Sequence, residues 1–245
     1  MLSDKKITYK QFGTQAILIE WPAIINDEIF DDILVFKTKL LKRHSSKIVD
    51  VIQGYNSLTL VYTSFVSNFN EEVEALQTIY KTNSEPLKQV NLVWEIPVCY
   101  DLKFGIDLRG IALQSSLKVE EVIELHSNSI YKVYFIGFLP GFLYLGGLSE
   151  QLYFDRKPNP RLRVPKGAVA IGGKQTGIYP NISSGGWNII GNTPIDFFDI
   201  EKENPCFAKP GDIIKFKAVS LQEYHEIVEQ INQNKYELIN TLHHA

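Results

Sequence analysis

Cysteine is nearly absent from this 245-residue chain: Cys99 and Cys206 are the whole complement, with neither CxxC spacing nor enough company for a disulfide framework. A reducing cytoplasm is the expectation that follows. Arginine is also scarce, with five residues, and no long Lys/Arg run occurs, so a nucleic-acid binder lacks its electrostatic footprint. No apolar window approaches the length of a membrane span. The opening MLSDKKITYKQFG is charged where a secretory leader would be apolar. HExxH, GxSxG and paired Cys/His sets are missing too, which removes support for metal-dependent and serine-hydrolase chemistry. What remains is the balance of a folded globular protein: 44% hydrophobic, 22% charged, formal net charge −3.

Glycine and proline, in contrast, are plentiful and unevenly spread. Eleven of the sixteen glycines and six of the eleven prolines lie between Gly137 and Pro194, in a stretch that stays apolar and aromatic, which makes disorder a poor explanation. Glycine supplies positive φ and close backbone approach while proline fixes φ, so the stretch reads as short strands joined by tightly specified loops. Loops of that kind commonly carry binding residues.

The length suits two domains. Residues 1–93 read as a small α+β domain. Ile7–Phe12 and Ala16–Trp21 form a hairpin around Gly13-Thr14-Gln15, and a helix follows with Asn26 as N-cap, Ile29, Ile33, Phe36 and Leu40 on one face, and Lys42 and Arg43 at its end. A second hairpin, Ile48–Tyr55 with Leu58–Ser64, precedes a helix opened by Asn70-Glu71-Glu72 that carries Val73, Leu76 and Tyr80. The order ββαββα predicts a two-layer sandwich with helices on one sheet face. Thr82-Asn83-Ser84-Glu85-Pro86 breaks the second helix, and the boundary is placed at 93/94.

Residues 94–245 read as a mainly-β barrel or sandwich, with strands at Glu95–Tyr100, Tyr131–Phe138, Ala168–Ile171, Trp187–Ile190 and Ile213–Ala218. A short helix lies within Asp107–Gln114, an amphipathic one spans Lys118–His126, and Leu221, Tyr224, Val228 and Ile231 mark a closing helix. The tail through His243-His244-Ala245 reads as frayed.

Several residues are chemical candidates. Gly172-Gly173-Lys174-Gln175-Thr176 could present N–H groups and a lysine to an anion. It fails the Walker spacing, because the first glycine would fall on Ala168 and the Ser/Thr on Gln175, and a plain strand-connecting turn competes with the anion reading. Arg156, Lys157, Arg161, Arg163 and Lys166 form one dense basic segment, stiffened by Pro158, Pro160 and Pro165; it suits a carboxylate or phosphate, or else a solvated loop. His126 shares a helical face with Val119, Val122 and Ile123. That placement fits a buried neutral histidine, while a general-base role needs a carboxylate such as Asp107 or Glu124 beside it. Cys99 with His126 is a further nucleophile–base pairing, set against a small buried hydrophobe in mid-strand. Tyr179 and Trp187, either side of Ser183-Ser184-Gly185-Gly186, can wall a pocket for a small planar ligand or pack a barrel end.

GFLPGFLYLGGL (137–148), PRLRVPKGAVAIGGKQTGIYP (160–180) and GGWNIIGNTP (185–194) resemble the signature blocks of the KipI / allophanate hydrolase subunit 1 family. IPVCYDLKFGIDL (96–108), VEEVIELHS (119–127) and KPGDIIKFKAVS (209–220) resemble it in the same order. The resemblance implies a small α+β N-terminal domain and a cyclophilin-like, carboxyltransferase-type β-barrel. It also implies ATP-dependent opening of 5-oxo-L-proline to L-glutamate, with ATP and Mg²⁺ used by a 5-oxoprolinase complex in which a homologous C component and a LamB/YcsF-type A component are the partners. On that basis Arg161, Lys174, Gln175, Tyr179, Gly185, Gly186 and Trp187 are expected to line a substrate or ATP pocket, with His126 as acid/base or as an orienting group. The family also admits inhibition of a sensor histidine kinase and a role in allophanate or urea carboxylation. Three positions depart from its pattern: Ser184 stands for proline, Asn192 for arginine, and Lys103 where an acidic residue is frequent.

Overall fold

The computed structural model describes residues 7–24, 26–43, 46–82 and 90–242. The chain divides into two compact units, Met1–Gln89 and Val90–Ala245.

In the first unit β1 (Thr8–Gln11) and β2 (Ala16–Glu20) pair antiparallel. The helix α1 (Asp27–Arg43) is capped as its sequence demands: Asn26 Oδ1 accepts the Ile29 N–H at 2.9 Å, with acids in the first turn and bases in the last. After β3 (Ile48–Gln53) and β4 (Ser57–Tyr62) comes α2 (Phe69–Lys81). Its start corrects the expectation at Asn70, since Asn68 is the cap and its Oδ1 accepts the Glu71 N–H at 3.3 Å. Leu76 and Ile79 are the buried residues of α2, with Val73 and Tyr80 half-buried. The sheet runs β1-β2-β4-β3. Ile17, Ile19, Leu58 and Leu60 of that sheet share one apolar cluster with Ile33, Phe36 and Leu40 of α1 and Leu76 of α2. The Asn83–Pro86 part of the expected helix break lies outside the described residues.

The second unit contains β5 (Leu92–Cys99), α3 (Leu108–Ser115), α4 (Val119–Asn128), β6 (Ile130–Ile136), β7 (Leu143–Gly146), a 3-10 turn (Glu150–Leu152), β8 (Arg161–Val164), β9 (Ala168–Gly172) and β10 (Gln175–Ile178). It continues with β11 (Ser183–Gly185), β12 (Asn188–Asn192), β13 (Ile213–Val219), α5 (Leu221–Asn232) and β14 (Asn240–Leu242). Seven strands close a barrel in the order β12-β9-β10-β7-β6-β13-β5, with β12 returning to β5. β5 makes closure possible by its length: β13 runs parallel to it from Val93 to Cys99, while β14 meets Leu92–Trp94 and β12 meets Cys99. Closing the ring leaves few unpaired strand groups.

Asn192, opposite Cys99, secures that closure. Its amide donates to the Lys166 carbonyl at 2.9 Å, and its Oδ1 accepts the Tyr224 hydroxyl at 2.7 Å from α5. The barrel interior is apolar, with Ile96, Val98, Val133, Leu143, Leu145, Val169, Ile171, Ile190 and Ile214 in one cluster. β8 and β11 form a separate two-stranded ribbon. The frayed-tail expectation fails at Asn240–Leu242, because β5 offers backbone partners there; His243, His244 and Ala245 lie outside the described residues. Among the described residues no helix is long and apolar enough to cross a membrane.

Candidate functional site

The glycine- and proline-rich stretch folds against the barrel so that two cavities adjoin, both lined by Arg156 and Lys157. The smaller, about 280 Å³, is walled by Phe142, Tyr144, Tyr179 and Trp187 and edged by Gly185 and Gly186. The larger, about 610 Å³, is polar and includes Asp107, Gln114, Tyr153, Asp155 and Asn188. Phe142 meets Tyr179 and Trp187 edge-on, at 5.2 and 5.5 Å between ring centroids, which fixes the walls of the smaller cavity. Two glycines permit this packing. A Cβ on Gly185 would lie 2.3 Å from the Tyr179 hydroxyl, and one on Gly172 would lie 2.6 Å from the Trp187 indole. Burial pushes the Tyr144 and Tyr179 phenols up, so both stay neutral.

Asp107, just before α3, ties the basic loop to the barrel. Its Oδ1 takes Arg161 Nη2 at 2.6 Å and Lys157 Nζ at 2.9 Å, while Oδ2 accepts the Ile189 N–H at 2.8 Å. Burial by itself raises the carboxyl's pKa, but the hydrogen bonds from Arg161, Lys157 and Ile189 outweigh it and leave Asp107 below its ordinary value. The Lys157 N–H also donates to the Gly186 carbonyl at 2.7 Å, so the wall between the cavities is pinned at both edges. Arg156 is held differently: its guanidinium sits 5.5 Å from the centroid of the Trp187 ring.

The residues expected to bind substrate or ATP separate into three groups. Tyr179, Gly185, Gly186 and Trp187 come together at the smaller cavity. Arg161 stands behind it, engaged by Asp107 and reaching the Trp187 carbonyl at 3.5 Å. Lys174 and Gln175 line neither cavity; the Lys174 ammonium is exposed, 5.6 Å from the centroid of the Tyr153 ring.

His126 is sealed within the barrel unit, fully buried and stacked on Phe216 at 4.8 Å. The Thr176 hydroxyl donates to the Ala170 carbonyl, so its oxygen accepts from His126 Nε2–H at 2.8 Å; Nδ1 is then the acceptor for the Tyr100 hydroxyl at 2.7 Å. Burial drives the imidazole pKa down to about 3. With both nitrogens committed and neither of the two cavities lined by it, His126 organises the core, and its side-chain partners are Tyr100 and Thr176 and not Asp107 or Glu124. Cys99 does not pair with it either: successive strand residues face opposite ways, and it is Tyr100 that reaches the ring. Burial raises the Cys99 thiol, away from a reactive thiolate. Arg156 and Lys157, expected only as members of a basic segment, line both cavities, and Asp107, expected as a partner for His126, instead engages Lys157 and Arg161. The basic, proline-stiffened run signalled the first two, whereas nothing local to Asp107 shows that it faces a loop fifty residues on.

Residues 7–208 match the family model described as carboxyltransferase domain, subdomain C and D. A Bacillus subtilis (strain 168) protein named as the B component of 5-oxoprolinase is 33% identical over 233 residues, covering 91% of this chain and 97% of that protein. The solved structure of TTHA0988 is 33% identical with a TM-score of 0.73, covering 84% of this chain; the chain spans 40% of that longer one. The Kluyveromyces lactis urea carboxylase structure, at 18% identity, shares the fold with a TM-score of 0.83 over 98% of this chain and 24% of its own.

Proposed function

We propose, from the premise that this chain belongs to the family of carboxyltransferase domains, subdomains C and D, that it is the B component of a multi-subunit 5-oxoprolinase. The complex opens 5-oxo-L-proline to L-glutamate at the expense of ATP, in the cytoplasm, with a homologous C component and a LamB/YcsF-type A component. In this reading the first unit is the two-layer ββαββα domain and the second the cyclophilin-like barrel. The near full-length likeness to the Bacillus subtilis 5-oxoprolinase component carries the reading, and the paired cavities supply surfaces for its chemistry.

A five-membered lactam is an amide stabilised by resonance, so water alone opens it slowly. Transfer of ATP's terminal phosphoryl group to the lactam oxygen, with ADP leaving, makes the ring carbon electrophilic. Water adds there, the ring C–N bond breaks with nitrogen taking a proton, and a second water releases phosphate from the resulting acyl phosphate to leave L-glutamate. Arg156 and Lys157, facing both cavities, place fixed positive charge where a substrate anion and a developing phosphoryl charge would meet. Asp107 fixes Lys157 and Arg161 in advance, so their orientation costs little at the moment of reaction. The aromatic walls give the smaller cavity an apolar surface. The basic pair fits a nucleotide's phosphates. For the accompanying magnesium ion, no cluster of three His, Cys, Asp or Glu side chains converges among the described residues, so no protein ligand is assigned to it.

The test is reconstitution with the two partner proteins, measuring 5-oxo-L-proline-dependent ATP hydrolysis and glutamate formation. Turnover that appears only when this chain is present, and falls on Arg161→Ala, is expected. Absence of turnover in every combination, or full turnover without this chain, overturns the reading.

A further inference from the structure

We infer that the smaller, aromatic cavity is a subsite for a compact ring-bearing carboxylate, anchored by the Arg156 guanidinium. The inference deepens the proposed function and rests on it for the identity of the ligand, though not for its chemical class.

Charge is the first argument. The only ionised side chains lining the smaller cavity are Arg156 and Lys157, whereas the larger cavity sets the same two cations against Asp107 and Asp155. Lys157 is already engaged by Asp107 at 2.9 Å. Arg156 has no carboxylate partner among the described residues, and only the face of Trp187 holds it. Its planar fork of donors is therefore free to take a carboxylate in bidentate fashion.

Size and surface narrow the class. At about 280 Å³ the cavity sits at the floor of the roughly 300–1,000 Å³ typical of drug-sized ligands, so it suits a small ring and not a nucleoside triphosphate. Phe142, Tyr144, Tyr179 and Trp187 give that ring apolar walls, and the two phenols add polar edges without negative charge. Backbone strain sits at the same place. Phe138, also on the cavity lining, has φ of +68° and is exposed, a left-handed conformation that a bulky residue seldom adopts. Strain of this kind concentrates at ligand clamps.

The experiment titrates the full chain with 5-oxo-L-proline, 2-pyrrolidinone, cyclopentanecarboxylate, benzoate and inorganic phosphate by ligand-observed NMR. It is repeated on Arg156→Gln and on Arg163→Gln, the same charge change at an exposed position outside both cavities. Ring carboxylates are expected to bind the wild type and Arg163→Gln alike. Removing the carboxylate from the ligand, or Arg156 from the protein, is expected to weaken binding about ten- to hundredfold, the size of a lost charged hydrogen bond. Equal binding of 2-pyrrolidinone, equal displacement by phosphate, no saturable binding of any ring carboxylate, or indifference to Arg156→Gln overturns the subsite. The two readings fail separately. If cyclopentanecarboxylate or benzoate binds through Arg156 and 5-oxo-L-proline does not, the subsite stands and the oxoprolinase reading falls. If the reconstituted complex turns over 5-oxo-L-proline and Arg156→Gln leaves KM unchanged, the reading stands and the subsite falls.

Discussion

Replacing His126 with glutamine is expected to flatten the pH dependence of the second unit's stability. The wild-type imidazole is fully buried, and burial lowers its pKa from 6.5 to about 3. An unfolded chain therefore binds a proton at this position, between those two values, that the folded chain does not. The stabilisation is complete above the unfolded value and is lost as pH falls toward the folded one. Each pH unit in that window corresponds to about 1.4 kcal/mol, so lowering the pH from 8 to 5 costs the wild type about 2 kcal/mol through this residue.

Glutamine cannot satisfy Tyr100 and Thr176 with the same geometry, so His126→Gln starts about 1–3 kcal/mol less stable at pH 8. It lacks the titrating group, so the gap between the two proteins narrows by about 2 kcal/mol at pH 5. The assay is urea unfolding at both pH values in a Trp21→Phe background, which leaves Trp94 and Trp187 to report on the barrel unit. Equal pH dependence in the two proteins would refute the reasoning. So would an NMR titration placing His126 near 6.5.

Two further outcomes test the framework of the site. Asp107→Asn leaves Arg161 and Lys157 without their shared counter-charge; both are partly solvated, so a loss of about 1.5–3 kcal/mol is expected in urea unfolding at pH 7. Because the Asp107 carboxyl lies below its ordinary value, that difference should be present above the unfolded carboxylate pKa and disappear as pH falls through the folded one; persistence at lower pH refutes the assignment. Gly185→Ala places a methyl group 2.3 Å from the Tyr179 hydroxyl. It should destabilise the barrel unit by about 1–3 kcal/mol and shift the Trp187 fluorescence, and unchanged stability and emission would show that the contact is easily relieved.

How far the sequence reaches is clearest at particular residues. Periodicity and capping placed α1 closely, because Asn26, the acidic first turn and the Ile29–Leu40 stripe all act within one helix. The start of α2 lies two residues before the expected Asn70, because it is the Asn68 side chain that accepts the Glu71 N–H. The short strands β7, β8, β10 and β11 escaped notice because each has only three or four residues and is held by its neighbours across the sheet, not by its own pattern.

Local chemistry, carried by residues adjacent in the chain, determined that Gly137–Pro194 would be strands and specified loops bearing a basic segment and aromatic walls, and its ordered motifs carried the family resemblance. Tertiary structure alone decided which charges count. It brought Asp107 from the start of α3 to orient Arg161 and Lys157, committed Asn192 to closing the barrel, and sealed His126 between Tyr100 and Thr176. The physical reason is distance along the chain: Asp107 and Arg161 are 54 residues apart, and His126 and Thr176 are 50, so only the closed barrel brings them into hydrogen-bonding range.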